Sequence, residues 1–227
     1  MHHDVTQTLL TSPLRHHTNR TGHVELASCA VSWLRSKEGA GPVAMVYEIS
    51  IDNADKGTLH GDDVEKRVRG VMAGGGLAVE QETMDDEGGR GADSGSGKSS
   101  GRCGTVPPEL VLTRAPLFAE KAELFPRCTF LIGTDTAIRL LNPKYYGGSR
   151  LQMALSFEKM RLQGCSFLVA GRMDKSTGLF VTLEDVRRTV PEEEWSLYAR
   201  LFEGIPEEAF RVDLSSTELR ESGEAKL

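Results

Sequence analysis

The sequence predicts an α/β fold built on a mostly parallel sheet, and two observations point to this class. Apolar runs typical of strands alternate along the chain with amphipathic segments typical of helices. Two of the runs, Pro42–Ile51 and Ser166–Ala170, are almost continuously apolar, which is typical of strands covered on both faces. A chain of 227 residues, 39% of them hydrophobic, has room for one domain with a substantial core.

The individual elements follow from the spacing of apolar residues. Val24–Trp33 is predicted to be a helix because its apolar residues recur every three or four positions. The same reading predicts, in chain order, a strand over Pro42–Ile51, a helix over Asp62–Val71, strands over Glu109–Leu112 and Thr129–Ile132, a helix over Leu151–Leu162, a strand over Ser166–Ala170 and a helix containing Trp195, Tyr198, Ala199 and Phe202. This alternation indicates a three-layer, Rossmann-like arrangement.

A glycine-rich stretch interrupts the pattern. Ten of the 24 glycines fall between Gly74 and Gly104, among serines and acidic residues. Such a composition buries too little apolar surface to offset the entropy of ordering, so we predict a disordered insertion over 74–104. The expected organisation is a poorly defined segment 1–20, one domain over 21–222 and a tail over 223–227.

Two stretches inside this insertion resemble known functional motifs, one for binding nucleotide phosphates and one for ester hydrolysis. Ala92–Ser99, which contains Lys98, satisfies the loose form of a phosphate-binding P-loop, and Gly97–Gly101 resembles a hydrolase nucleophile elbow. A working P-loop or nucleophile elbow needs an apolar strand before it and a helix after it. Low-complexity sequence flanks both motifs here, so we exclude them as candidate sites.

Charge and cysteine content limit the classes of partner. The formal net charge is −6, which argues against broad binding to nucleic acid or anionic membranes. No run approaches the roughly 18 apolar residues of a membrane span. The four cysteines show no metal-ligand spacing and predict buried thiols in a reducing compartment. We expect a cytoplasmic protein, and organelle targeting stays open because the first 24 residues hold a single acidic group.

Polar residues follow two of the predicted strands. Gly133 and Asp135 come directly after Thr129–Ile132, where glycine permits close approach of a ligand and a carboxylate can hold a ribose hydroxyl. The alternative is that Asp135 simply caps the next helix. Asn53 and Lys56 follow the strand over Pro42–Ile51, and Lys56 could meet a substrate phosphate.

Two further stretches lie at predicted helix starts. Gly22 and His23 open the first helix, where a histidine side chain would face a bound anion. Ser215-x-x-Glu218 is a capping box, so the hydroxyls of Ser215, Ser216 and Thr217 would join free amides at a positive helix end, with Arg220 as a charged clamp. Taken alone, this last motif favours an ordinary helix cap over a polyphosphate site.

Together these stretches resemble the nucleotidyltransferase superfamily that includes the nicotinamide mononucleotide adenylyltransferases. Gly22-His23, Gly133-x-Asp135 and the terminal Ser-Ser-Thr-x-x-Arg are the residues that carry the resemblance. Within the superfamily, four stretches are similar to a cytidylyltransferase-like branch of plants, fungi and bacteria. These are Asn53–Lys56, Gly133–Arg139, Lys144–Tyr146 and Ser215–Arg220.

The resemblance implies a reaction in which a mononucleotide phosphate attacks the α-phosphorus of ATP or CTP and pyrophosphate leaves. It implies that His23 and Arg220 are catalytic, and that Asn53 and Lys56 bind the acceptor, with nicotinamide mononucleotide expected in that position. The nucleotide-binding residues implied are Gly22, Gly133, Asp135, Ser215, Ser216 and Thr217. Mg²⁺ would be bound with the nucleotide and not by a metal site of the protein, and homo-oligomer formation stays open.

The sequence departs from the family at its first motif, Gly-Ser-Phe-Asn-Pro-x-His-x-Gly-His. Arg20 stands where that pattern has its first histidine, and the segment TQTLLTSP (residues 6–13) is a poor candidate for the preceding strand. We therefore expect either a divergent chain or one whose true first strand is missing. A catalytically impaired nucleotide-binding protein with a regulatory or scaffold role is the alternative function.

Overall fold

The computed structural model describes residues 7–11, 20–37, 42–55, 57–73, 109–174 and 177–209. The predicted insertion, the motif at 215–220 and the tail lie outside these ranges. The described elements, in chain order, are β1 (Gln7–Thr11), α1 (Arg20–Ser36), β2 (Val43–Ser50), β3 (Asp52–Asn53), β4 (Gly57–Thr58), α2 (Gly61–Ala73), β5 (Glu109–Thr113), α3 (Phe118–Leu124), β6 (Cys128–Gly133), α4 (Thr134–Leu140), a 3₁₀ turn (Pro143–Tyr146), α5 (Arg150–Leu162), β7 (Ser166–Ala170), β8 (Arg172–Met173), β9 (Phe180–Val181), α6 (Leu183–Arg187), α7 (Glu192–Tyr198), a second 3₁₀ turn (Ala199–Leu201) and β10 (Phe202–Gly204).

Six of the strands form one central sheet in the order β5-β2-β1-β6-β7-β10. Every neighbouring pair in this sheet is parallel, which confirms the predicted α/β class. The short pairs β3–β4 and β8–β9 are antiparallel hairpins outside it. The central sheet therefore presents the carboxyl ends of all six strands along one edge.

The first strand corrects a prediction from the sequence. Gln7–Thr11 pairs with β2 on one side and β6 on the other, so it occupies the middle of the sheet. One alternative that the sequence left open, a true first strand missing from the chain, is therefore wrong, because residues 7–11 supply a strand before the first helix. The apolar pattern of this strand is weak because it has few apolar residues, although Leu9 is fully buried. Pairing on both edges, rather than intrinsic propensity, fixes its place.

Helices cover both faces of the sheet and complete the three-layer arrangement. Leu131 of β6 faces α1 and α2, whereas Phe130 and Ile132 face the layer formed by α3, α4, α5 and α7. This alternation is the expected consequence of the two-residue period of a strand. Four of the five residues of β7 are buried, and Ser166 is half-buried. This confirms that the strand over 166–170 is covered on both faces.

The other predicted elements are present, with one shorter than expected. The last predicted helix ends at Tyr198, and Phe202 instead begins the edge strand β10. Cys29, Cys128 and Cys165 are buried thiols, as predicted. Among the described helices, none is long and apolar enough to cross a membrane.

A buried ion pair joins the sheet to helix α3. The ammonium of Lys121 lies 2.5 Å from a carboxylate oxygen of Glu48, and both side chains are almost fully inaccessible to solvent. The hydroxyl of Thr113, at the end of β5, donates to the same oxygen. Burial lowers the pKa of Lys121, and the negative charge of Glu48 opposes that shift. The pair thus ties β2, β5 and α3 together below the carboxyl edge.

Replacing Lys121 by alanine should destabilise the fold strongly. Glu48 would remain buried without its cationic partner, and loss of one member of a buried pair costs about 3–5 kcal/mol. The free energy of unfolding, measured by urea titration, should fall by that amount. The matched control is Lys159→Ala, which breaks the exposed pair with Glu123 and should cost at most about 1 kcal/mol. Equal losses of unfolding free energy in the two variants would show that the buried pair stabilises the fold no more than the exposed pair does.

Candidate functional site

The winding of the sheet reverses between β1 and β6. From β1 the chain proceeds to β2 and β5 on one side, and from β6 it proceeds to β7 and β10 on the other. The helices that follow these two central strands, α1 and α4, pack on opposite faces of the sheet. A crevice therefore lies outside the carboxyl ends of β1 and β6. Doubly wound proteins bind their ligands at this position.

Four predicted site residues lie at the two helix starts beside the crevice. Gly22 and His23 are in the first turn of α1, and Gly133 and Asp135 are at the start of α4. A helix that connects parallel strands runs back toward the amino edge, so its first turn faces the carboxyl edge. The fold thus brings these two stretches, more than a hundred residues apart in sequence, to one edge.

Helix α4 begins differently from one alternative that the sequence left open. Its N-cap is Gly133, which has φ −88° and ψ 165°, and no side chain caps the helix. Asp135 is the second residue of the helix, so the interpretation of Asp135 as its cap is wrong. The chain passes from β6 into α4 without a connecting loop, and the last strand residue therefore occupies the cap position.

Gly133 and Gly171 are glycines for different reasons. A Cβ atom added at Gly133 would meet no atom within 4 Å, and its backbone angles suit any residue. At Gly171 the added Cβ would lie 2.4 Å from the ring of Phe180 and 2.9 Å from the Val181 carbonyl oxygen. The fold therefore requires glycine at 171, whereas at 133 it leaves open space above the end of β6.

Asp135 forms an exposed ion pair with Arg172, which follows the neighbouring strand β7. A second cation, Arg139, lies on the next turn of α4. Its Nε donates to the carbonyl oxygen of Asp135 at 3.3 Å, and its Nη2 donates to the Thr136 hydroxyl at 3.4 Å. The carboxylate of Asp135 thus stands between the ends of β6 and β7, with two guanidinium groups in its neighbourhood.

The described part of the predicted acceptor stretch, residues 53–55, lies at the turn that follows β3. The side-chain oxygen of Asn53 accepts a hydrogen bond from the Asp55 amide at 3.0 Å, so Asn53 shapes the turn. Across the site, Lys144 Nζ lies 3.0 Å from Asp55 Oδ1, and the Tyr145 hydroxyl lies 2.8 Å from Oδ2. Asp55 therefore joins the hairpin that follows β2 to the 3₁₀ turn that follows α4.

The electrostatics of this contact favour a charged carboxylate and a neutral phenol. Hydrogen bonding to Lys144 and then to Tyr145 lowers the pKa of Asp55, and the charge of Arg139 contributes in the same direction. Desolvation raises the pKa of Tyr145, and its hydrogen bond to Asp55 adds to that rise. Tyr145 thus remains a hydrogen-bond donor over the whole neutral range.

Several predicted residues cannot be located relative to this edge. Lys56 and the stretch containing Ser215, Ser216, Thr217 and Arg220 lie outside the described residues. Gly22 and His23 belong to the described helix α1, and the side chain of His23 lies outside what the structure describes. Among the predicted site residues, Asn53, Gly133 and Asp135 are those with described surroundings.

The structure adds residues that strand-end reasoning had not selected. Arg172 comes two residues after the apolar strand Ser166–Ala170, so the rule that selected Asp135 after β6 would also have found it. Asp55 and Tyr145 lie within stretches quoted for the family resemblance, but 90 positions separate them. No local signal in the sequence indicates that these two side chains meet.

A separate cavity of about 560 Å³ lies between α6, α7 and β10. Arg187 in its lining is shared by the carboxylates of Glu184 and Glu192, which neutralise it. Asn53, Gly133 and Asp135, the predicted site residues with described surroundings, do not line this cavity. It therefore makes a poorer anion site than the crevice at the carboxyl ends of β1 and β6.

The predicted Mg²⁺ can be compared with the side chains present. Within the described ranges there is no group of three or more His, Cys, Asp or Glu side chains that could hold a metal ion. An ion that accompanies a nucleotide takes most of its ligands from phosphate oxygens and water.

Comparison with known proteins gives no assignment of family. No protein-family model, no curated protein and no solved structure matches this chain. The functional interpretation accordingly depends on the chain's own residues and on the edge of the sheet where the fold brings them together.

Proposed function

We propose that this chain is a nucleotidyltransferase that joins the nucleotidyl group of ATP to a mononucleotide and releases pyrophosphate. The expected acceptor is nicotinamide mononucleotide, and CTP is the alternative donor. The observation that carries the proposal is the pairing of two helix starts at the switch point of the sheet. One contains Gly22 and His23, and the other contains Gly133 and Asp135.

The open space at Gly133 supports a ligand beside the end of β6. The fold would accept any residue at position 133, yet the residue there is glycine. Glycine beside a crevice allows a ligand to approach the backbone closely. Asp135 at the adjoining turn can accept a hydrogen bond from a ribose hydroxyl if Arg172 yields one of the carboxylate oxygens. Both features suit a nucleotide better than a purely apolar ligand.

The proposed reaction needs no covalent enzyme intermediate. An oxygen of the acceptor phosphate attacks the α-phosphorus of the nucleotide, the bond from that phosphorus to the bridging oxygen breaks, and pyrophosphate leaves with the bond electrons. Catalysis is then positioning together with neutralisation of charge. The resemblance assigns His23 and Arg220 to the reacting phosphates, Ser215–Thr217 to the triphosphate, and Asn53 and Lys56 to the acceptor side. Bound with the nucleotide, Mg²⁺ would supply further neutralisation of phosphate charge.

Arg20 favours a second candidate function, a nucleotide-binding protein without turnover. It begins α1 at the place where the family pattern has a histidine. Its longer, forked head cannot reproduce the geometry of an imidazole, although it supplies positive charge. Loss of one phosphate-directed donor costs on the order of 10²–10³ in rate. Such a protein would bind ATP and act as a regulator or scaffold.

Pyrophosphate release tests the leading proposal. The full chain is incubated with Mg²⁺, ATP or CTP, and a panel of phosphorylated acceptors that includes nicotinamide mononucleotide. We expect release that depends on the acceptor, and Arg20→His should raise the rate by on the order of 10²–10³ if the missing histidine limits turnover. Absence of pyrophosphate with every acceptor, in both the wild type and Arg20→His, would refute transferase activity.

Gly133→Ala separates nucleotide binding from folding. The added methyl group meets no protein atom, so the free energy of unfolding should change by less than about 1 kcal/mol. ATP affinity, measured by calorimetry, should fall about tenfold or more because the methyl group occupies ligand space. The contrasting variant is Gly171→Ala, which should lose about 1–3 kcal/mol of stability because it clashes with Phe180. Unchanged ATP affinity in Gly133→Ala would remove this residue from the site.

The second candidate makes its own prediction for calorimetry. ATP should bind without turnover, and Arg220→Ala should abolish binding because a charge-assisted clamp on the phosphates is lost. Lys98→Ala, in the excluded P-loop motif, is the matched control and should bind as the wild type does. Binding that survives Arg220→Ala would show that the Ser215–Arg220 stretch does not hold the phosphates.

A further inference from the structure

The carboxylate of Asp55 is held by donors that are also suited to phosphate. Both of its oxygens are engaged: Oδ1 lies 3.0 Å from Lys144 Nζ and 3.0 Å from the Tyr145 hydroxyl, and Oδ2 lies 2.8 Å from that hydroxyl. Lys144 Nζ also lies 4.9 Å from the centroid of the Tyr145 ring, which keeps the two donors side by side. An ammonium and a hydroxyl in this arrangement can bind any compact oxyanion.

The positive charge that acts on Asp55 exceeds the single negative charge of its carboxylate. The positive charge of Arg139 acts on both Asp55 and Tyr145, while its own hydrogen bonds go to the neutral oxygens of Asp135 and Thr136. The positive charges of Lys144 and Arg139 thus both act on the single carboxylate of Asp55. A phosphate dianion would match them better than the carboxylate does.

The group is accessible and stands at the carboxyl edge. The side chain of Lys144 is 65% exposed and that of Asp55 is 31% exposed, so a dissolved anion can reach both. Asp55 follows β2 and Lys144 follows α4, so their contact links the two sides of the central strand β1. It therefore lies beside the crevice and directly beside the predicted acceptor stretch.

We propose that Lys144 and Tyr145 form a phosphomonoester subsite in which the Asp55 carboxylate stands in for phosphate when no ligand is bound, with Arg139 adding positive charge nearby. Binding of the ligand displaces Asp55 from Lys144 and Tyr145, and the turn at 53–55 moves aside. Assignment of this phosphate to the acceptor of the transfer reaction rests on the proposed function. The subsite itself does not, because its donors act on any phosphate.

Competition by Asp55 determines the sign of the main test. A phosphate must break the contacts of Asp55 and must also bind near its negative charge, and both requirements weaken apparent affinity. Removal of the carboxylate should therefore tighten phosphate binding, whereas removal of a structural tether would not. We expect about a tenfold gain at low ionic strength, decreasing as salt screens the charges.

The experiment titrates the full chain with inorganic phosphate and with a simple phosphomonoester, followed by phosphorus NMR and calorimetry. Asp55→Asn, which keeps the shape without the charge, and Asp55→Ala should both bind phosphate about tenfold more tightly than the wild type. In the Asp55→Asn background, Lys144→Ala should cancel the gain, and Tyr145→Phe should reduce it. Lys159→Ala in the same background is the matched control, because Lys159 of α5 is also an exposed lysine paired with a carboxylate, that of Glu123 on α3.

The outcomes separate the subsite from the transfer reaction. Unchanged or weaker phosphate binding in both Asp55 variants, or a gain that persists in Lys144→Ala, would overturn the subsite and leave Asp55 as a tether between two loops. The expected pattern together with no pyrophosphate release from any acceptor would support the subsite and refute the transferase. Melting temperatures show whether each variant still folds. Substitutions at exposed positions such as these should leave the protein folded.

Discussion

The parallel pairing of β1 with both β2 and β6 is the constraint on which the rest of the structure depends. Without this strand the sheet would consist of two separate parts, β5-β2 and β6-β7-β10. Because parallel neighbours require crossover connections, β1 also dictates that α1 returns on one face while α4 and α5 cover the other. The crevice at the carboxyl edge is a direct consequence, since it opens where those helices part. The five residues of β1 thus fix where this crevice opens.

A rigid base supports the exposed contacts at this edge. The Glu48–Lys121 pair lies inside the protein, and two residues further along β2 the Ser50 hydroxyl donates to the carbonyl oxygens of Asp52 and Ala115 at 2.7 and 2.9 Å. These bonds fix the start of the hairpin that carries Asp55. Above them the contacts are exposed ion pairs, which contribute little to stability and exchange readily. The edge therefore combines a fixed foundation with side chains that a ligand can rearrange.

The sequence predicted those parts of the fold whose signal is local. Strand β7 was predicted with its observed bounds because burial on both faces leaves a continuous apolar run. Strand β1 was judged poor because its place depends on two partners distant in sequence, which no local pattern records. The same distinction holds at the site. Asp135 follows its strand directly and was predicted, whereas the meeting of Asp55 with Tyr145 depends on how two remote segments are brought together by the sheet.

The carboxyl edge of the sheet neutralises much of its own positive charge. Arg172 is paired with Asp135, and Lys144 is paired with Asp55, so both carboxylates occupy positions where an anionic ligand would find a cation. Any phosphate compound must therefore compete with the protein's own acids, which lowers apparent affinity but keeps the cations solvated and correctly placed. In the proposed transfer reaction, a substrate that must leave after each turnover would gain from such competition, because the returning carboxylates would favour release. The charges on Asp55 and Asp135 are thus as important to the behaviour of this edge as the basic residues they accompany.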